Sequence, residues 1–148
     1  MPPTMQLFES PEPPPMSISP ILSISTSGMQ AAATRLEASA QNIANAQSSG
    51  PLPNAAGATS AYAPVAVKQV DVKGGGVSAR IVNAADPYVP TYDPSSPDAD
   101  KEGMVAAPNV DMAGEMVNVM TARISYEASA KALKVGNDML KATLDAFS

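Results

Sequence analysis

Residues 109–148, NVDMAGEMVNVMTARISYEASAKALKVGNDMLKATLDAFS, contain no proline and carry an apolar residue at every seventh position. This first row consists of Met112, Val119, Tyr126, Leu133, Leu140 and Phe147. The row four positions further on is apolar at Met116, Ala130 and Leu144 and polar at Arg123 and Asn137. A seven-residue repeat keeps such side chains on one side of an α-helix, as in a coiled coil. The pattern therefore predicts a helix from about residue 110 onward that packs its apolar side against another helix.

The opposite side of this predicted helix is charged. Six charged residues follow one another at spacings of four and three, namely Glu127, Lys131, Lys134, Asp138, Lys141 and Asp145, and this spacing keeps them on one face. Asn109 or Asp111 is suited to cap the beginning of the helix. Arg123 interrupts the second apolar row, so it needs a carboxylate or carbonyl partner to offset its desolvation.

A second proline-free window, residues 21–50, lies between Pro20 and Pro51, with Ser19 suited to cap a helix that begins at Pro20 and Gly50-Pro51 suited to end it. It repeats the seven-residue spacing with Leu22, Met29, Leu36 and Ile43. We therefore predict a helix over residues 20–49 that pairs with the helix over residues 109–148 as a coiled coil. Asn42 and Asn45 lie near its end, where asparagine can satisfy open carbonyl groups or turn the chain.

The fifteen prolines of the chain lie outside these two windows. The proline-rich extension at residues 1–19 is predicted to be an extended tail or, alternatively, a docking strand. Within residues 50–108, valines at alternate positions on either side of Gly74-Gly75-Gly76 predict a β-hairpin, and residues 86–108 are predicted to be a loop. The fold class is thus mainly α: two long terminal helices with a small β-hairpin and a proline-rich loop region between them.

Composition excludes several function classes. The formal net charge is −5 and the basic residues do not cluster, so nucleic acid is not an expected partner. No apolar run reaches the roughly 18 residues of a membrane span. The chain has no histidine and no cysteine, which removes the usual nucleophile–base pairs. We therefore expect no enzymatic activity and no cofactor.

One metal-binding alternative remains open. Asp98, Asp100, Glu102 and Gly103 match the first half of a calcium-binding loop, in which alternate carboxylates converge on the cation. The twelfth position, where such loops have a bidentate glutamate, is Asn109. The alternative function is accordingly a calcium-responsive helical module that binds other proteins.

Two groups of residues carry a family resemblance. Pro97-Asp98-Ala99-Asp100 and Gly103, followed by Pro108-Asn109-Val110 before the long helix, resemble the proximal rod proteins of the bacterial flagellar axial family. The segment Asn42-Ile43-Ala44-Asn45-Ala46 is similar to a signature shared by the rod, hook and junction subunits of that family. Both groups lie in the part of the chain, about residues 20–148, that the resemblance covers.

The resemblance implies a structural subunit that polymerises through its terminal helices into the hollow periplasmic drive shaft of the flagellum. Such a subunit transmits torque and lets exported subunits pass. Its implied partners are other rod subunits, copies of itself and the flagellar type III export apparatus, which exports it without cleaving a signal peptide. The two apolar rows would then be assembly contacts.

Overall fold

The computed structural model describes residues 19–53 and 59–146, and the predicted tail at the N-terminus lies outside this range. Two helices, α1 (Ser19–Ala44) and α2 (Met112–Ala146), flank four strands. The strands are β1 (Val65–Asp71), β2 (Val77–Asn83), β3 (Tyr88–Tyr92) and β4 (Met104–Pro108), which form two separate antiparallel sheets, β1-β2 and β3-β4. The prediction of a mainly α chain with long terminal helices is confirmed.

Side-chain hydrogen bonds cap the end of α1 and the beginning of α2. α1 ends at Ala44 and is therefore shorter than the predicted helix over residues 20–49. Just after this end, Asn45 Nδ2 donates to the Gln41 carbonyl oxygen at 2.9 Å. At the start of α2, Asp111 Oδ1 accepts from the Ala113 amide at 3.1 Å, which makes Asp111 the N-cap. A Cβ atom on Gly114 would lie 2.6 Å from Asp111 Oδ2, so glycine leaves room for the capping carboxylate.

The two helices approach each other along rows of small residues, and Leu22 is the member of the predicted apolar rows that lies against Gly136 in this contact. In α1 the buried positions Ser25, Ala32 and Ser39 are seven apart. The corresponding row of α2 is Ala122, Ser129 and Gly136, of which Ala122 and Gly136 are buried. These two rows form the small-residue interface, and each lies three positions beyond the row that we predicted. The coiled-coil prediction therefore placed the contact about 60° away around each helix, since three residues turn a helix by roughly 300°.

Small residues occupy this interface because the helices approach closely. A Cβ atom on Gly28 would lie 2.7 Å from Ser129 Oγ, and one on Gly136 would lie 3.2 Å from Leu22 Cδ2. A glycine inside a helix costs about 1 kcal/mol relative to alanine, so Gly136 weakens α2 locally. Its place in the interface accounts for a glycine there, because a larger side chain would push the helices apart.

We expect Gly28→Leu to destabilise the chain by about 1–3 kcal/mol, because its side chain has no space in front of Ser129. The measurement is thermal unfolding followed by circular dichroism at 222 nm. Ala40→Leu is the matched control: Ala40 lies on the same helix but is exposed, and the expected effect of its substitution is within about 0.5 kcal/mol. Equal melting temperatures for the two variants would contradict the small-residue interface.

The predicted β1-β2 hairpin is confirmed and lies along α1. Its register runs from Val65 opposite Asn83 to Asp71 opposite Val77. Gly74, Gly75 and Gly76 form the connection with φ values of 100°, 99° and 96°, which non-glycine residues rarely adopt. The connection also touches α1, since a Cβ atom on Gly76 would come 2.5 Å from Ser27 Oγ.

The prediction that residues 86–108 form only a loop is wrong, because this segment contains the β3-β4 sheet. β3 pairs with β4 from Tyr88 opposite Pro108 to Tyr92 opposite Met104. Pro90 is compatible with a strand here because β3 is an edge strand, where a missing amide proton is tolerated. On its other side β4 is bonded to Gly50, whose amide donates to the Ala106 oxygen at 3.0 Å. The chain that follows α1 is therefore tied to the strand that precedes α2.

Candidate assembly surface

The Asn42 side chain joins four parts of the molecule and is only 2% exposed. Its Nδ2 donates to the Val65 carbonyl oxygen at 2.8 Å and to Glu115 Oε1 at 2.6 Å. Its Oδ1 accepts from the Val65 amide at 2.9 Å and from the Tyr62 hydroxyl at 3.0 Å. We call these four residues, Asn42, Tyr62, Val65 and Glu115, the Asn42 cluster. All four hydrogen bonds that an asparagine amide can readily make are used within it.

The interpretation of Asn42 as a helix terminator is therefore wrong, whereas the same interpretation of Asn45 is confirmed. Asn42 bonds both the N–H and the C=O of Val65, as a neighbouring strand would, so it fixes where β1 begins. It also connects α1 to α2 through Glu115. No periodicity in the sequence distinguishes the two asparagines, because the partners of Asn42 lie 23 and 73 residues further along the chain.

The surroundings of the Asn42 cluster change the titration of Tyr62. Burial, and after it the negative charge of Glu115, raises the pKa of Tyr62 above its ordinary value of 10.0. The folded state thus retains the phenolic proton more strongly than the unfolded state does. The resulting contribution to stability is complete below a pH of about 10 and is lost as the pH rises through the folded pKa.

We predict that Tyr62→Phe costs about 0.5–1.5 kcal/mol at neutral pH, because the Asn42 oxygen loses one donor. The difference in unfolding free energy between wild type and this variant should shrink as the pH rises above about 10. Urea unfolding at a series of pH values measures this difference. A difference that grows with pH would contradict the direction of the pKa shift.

The predicted loop motif forms the connection between β3 and β4 and its continuation to α2. Asp100 Oδ1 accepts from the amides of Glu102 and Met104 at 2.9 and 2.8 Å. Gly103 has a φ of 79°, and a Cβ atom there would lie 2.8 Å from the Tyr92 ring. Asn109 Nδ2 donates to the Asp86 carbonyl oxygen at 3.0 Å. Asp100, Gly103 and Asn109 thus fix the backbone conformation of the segment between β3 and α2.

The remaining loop-motif residues have less specific contacts. Pro108 is buried opposite Tyr88, and Pro97 is exposed. The Asp98 amide donates to Ser96 Oγ at 3.3 Å, and the Asp98 residue is exposed. Over residues 19–53 and 59–146, no group of three acidic side chains is placed to hold a metal ion. Asp98, Asp100 and Glu102 are therefore not brought together as a calcium loop would require.

The predicted apolar rows line a groove beside the small-residue interface. This heptad groove has a volume of about 500 Å³ and is lined by Ala32, Ala33, Leu36, Val119, Ala122, Arg123, Tyr126 and Glu127. Leu36 and Tyr126, one from each predicted row, are 43% and 48% exposed. Leu36 of α1 and Val119 and Tyr126 of α2 thus face a common groove instead of closing on each other.

Other members of the predicted rows share this partial exposure. Leu22, Met29, Ile43, Val119 and Leu133 are half-buried. Exposed members are Met112, Met116, Leu140 and Leu144. Arg123 is also exposed, and its Nε donates to Glu127 Oε1 at 2.9 Å; this hydrogen bond lowers the pKa of Glu127. The predicted carboxylate partner of Arg123 thus exists, but it is one helical turn away at the surface.

A second exposed apolar row lies on the other flank of α2 and was missed by the sequence argument. It comprises Val117, Ile124, Val135 and Met139. Val117 and Ile124 are seven apart, and Lys131 occupies the next position of the same spacing. That lysine obscured the repeat. α2 therefore presents three surfaces: the small-residue interface, the heptad groove and this second apolar row.

Neither helix in the described ranges contains an apolar stretch long enough to cross a membrane. Residues 101–146, which include β4 and α2, match the family model described as "Flagellar basal body rod FlgEFG protein C-terminal". This match indicates the class of structural proteins of the flagellar rod.

Sequence identity to known rod proteins assigns the chain to one family within this class. The flagellar basal-body rod protein FlgC of Salmonella typhimurium is 35% identical over 130 residues, which span 87% of this chain and 97% of the relative. The FlgC protein of Yersinia enterocolitica is 36% identical over the same shares of the two chains. That of Aquifex aeolicus is 33% identical over 135 residues, covering 89% of this chain and 98% of the relative. The chain belongs to the FlgC family of flagellar basal-body rod proteins.

Proposed function

We propose that this chain polymerises, with copies of itself and with other rod subunits, into the hollow periplasmic shaft of the flagellar basal body. The observation that carries the proposal is the exposure of apolar rows on two flanks of α2. A chain that worked alone would leave both rows in water, and contiguous apolar surface of this kind marks an interaction site.

The position of the rows indicates how subunits associate. The heptad groove and the second apolar row lie on different sides of α2, so a neighbour that covers one cannot cover the other. Each subunit then needs at least two neighbours, contacted through different surfaces. Contacts of this head-to-tail type generate rings or helical filaments. Of the predicted assembly residues, Leu36, Val119, Arg123 and Tyr126 line one of these two surfaces, the heptad groove.

The connections within the subunit suit a shaft under torque. α2 has 35 residues, which corresponds to a rod of about 50 Å. The Asn42 cluster and the bonds between Gly50 and β4 join the middle of the chain to both helices. A tube of such helices would be stiff and could keep an open centre for exported subunits. Export by the flagellar type III apparatus, without cleavage of a signal peptide, is part of the same proposal.

Polymerisation can be tested with purified protein over a range of concentrations. We expect the sedimentation coefficient and the helical circular dichroism at 222 nm to rise together as subunits assemble, with tubes or rings visible by electron microscopy. In cells, deletion of the gene should abolish motility and leave basal bodies without a rod. A compact, protease-resistant monomer at every concentration, together with normal motility of the deletion strain, would refute the proposal.

The calcium-responsive alternative has no comparable support. Asp100 already uses its Oδ1 to hold the turn, and the neighbouring carboxylates do not converge with it. Titration calorimetry with calcium chloride would revive this alternative only if it showed saturable heat that Asp98→Asn removes.

A further inference from the structure

The N-terminal extension contains the features of a ligand for the heptad groove. Residues 1–16 include an adjacent apolar and aromatic pair, Leu7-Phe8, followed by Glu9 and by prolines at 11, 13, 14 and 15. Proline-rich segments adopt extended geometry at low entropic cost, and they bind to grooves lined by aromatic side chains. The heptad groove offers Tyr126 beside Leu36, both partly exposed, between walls of small apolar residues.

The length of the segment allows the contact within one chain. Leu36 lies 17 residues along α1 from Ser19, a distance of about 26 Å along the helix axis. The 10 residues between Phe8 and Ser19 give 11 residue steps, which can span about 34 Å in polyproline geometry. The extension can therefore turn back at the start of α1 and bring Leu7-Phe8 to the middle of the groove.

Charge favours the same placement. The extension carries Glu9 and Glu12 and no lysine or arginine. Arg123 lies at the rim of the groove, and its side chain is 79% exposed although its Nε donates to Glu127. A guanidinium group has five N–H donors and can serve a second carboxylate. Glu9, directly after Phe8, is the acidic residue within reach when Phe8 lies beside Tyr126.

We propose that residues 1–16 fold back onto the heptad groove of their own chain, with Leu7 and Phe8 beside Leu36 and Tyr126, and cover it until a neighbouring subunit displaces them. The docking itself stands on the groove, the reach and the charges. The competition with a neighbour rests on the proposed function, since it requires that the groove be an assembly surface. A groove that is covered in about nine chains of ten binds a neighbour with about tenfold lower apparent affinity.

Docking can be measured without assembly. The chain has no native cysteine, so Glu12→Cys carries a single nitroxide label. We expect the label to broaden the methyl NMR signals of Leu36, Val119 and Ala122 to the same degree at every dilution. Replacing both Leu7 and Phe8 by alanine in the labelled chain should remove the broadening, whereas Gln6→Ala, the adjacent polar position, should leave it.

The outcomes separate the proposal from its rivals. If labelled chains that are not isotope-enriched are mixed with enriched chains that carry no nitroxide, broadening of the enriched chains means that a second copy occupies the groove, and it overturns the proposal. Broadening on the hairpin instead of the groove, or on neither, also overturns it.

A second measurement addresses the competition. The chain lacking residues 2–16 should assemble at about tenfold lower concentration than the full chain. An unchanged threshold overturns the competition. Docking observed in a chain that never assembles would leave the self-contact standing while the proposed function fails.

Discussion

Asn42→Asp is expected to destabilise the chain by about 3–5 kcal/mol, the usual cost of an uncompensated buried charge. The substitution replaces Nδ2, which donates to Val65 and to Glu115, by a second oxygen. Two acceptors then lose their donor, and two carboxylates meet at the hydrogen-bond distance of 2.6 Å that Asn42 now has to Glu115. The loss reaches α1, β1 and α2 together, because Asn42 contacts all three.

Urea unfolding at neutral pH measures this loss. The protein is kept below the concentration at which it assembles, so that the unfolding of the single subunit is measured. Asn45→Asp is the matched control, since the Asn45 amide donates to the Gln41 carbonyl oxygen and accepts one long hydrogen bond of 3.5 Å from the Ser48 hydroxyl, both next to the helix end. Its expected cost is below about 1 kcal/mol. Adding Glu115→Gln to Asn42→Asp should recover part of the loss, because the repulsion between carboxylates is removed. Equal losses for the two asparagine variants would show that Asn42 has no special place in the fold.

Asn42 and Asn45 show which structural features can be predicted from the sequence and which cannot. Helix positions followed from proline-free windows and from spacings of seven, and the β1-β2 hairpin followed from alternating valines around three glycines. The partners of Asn42 could not be inferred in this way, because hydrogen bonds across 23 and 73 residues leave no local pattern. β3 was missed for a related reason, since prolines argue against strands unless the strand is known to lie at an edge.

The contact between the two helices was predicted with the right spacing but on the wrong face of each helix. In both helices a row of large apolar residues and a row of small residues repeat every seven positions, and the two rows are three positions apart. The row of large residues predicts the helix contact, because large side chains bury more area. The structure places the small ones inside, since close helix approach requires them. Because the small residues form the helix contact, the large apolar residues stay half-buried or exposed, where neighbouring subunits can contact them.

The second row on α2 gives the largest expected effect on assembly. We predict that Ile124→Asp abolishes polymerisation while leaving the fold of the single subunit intact. Ile124 is 64% exposed, so a carboxylate there stays hydrated in the monomer. Inside a subunit contact it would be buried without a partner, and an unpaired buried charge costs several kcal/mol, or more than a hundredfold in affinity.

Sedimentation velocity and electron microscopy across the concentration range compare wild type, Ile124→Asp and Lys134→Asp. Lys134 is also exposed and lies on the charged side of α2, so its variant adds the same carboxylate outside both apolar surfaces and should still assemble. Thermal unfolding of the dilute proteins should show equal melting temperatures for Ile124→Asp and wild type, because the side chain lies outside the small-residue interface. If Ile124→Asp assembled normally, the second row would face solvent in the shaft, and each subunit would be held through the heptad groove alone.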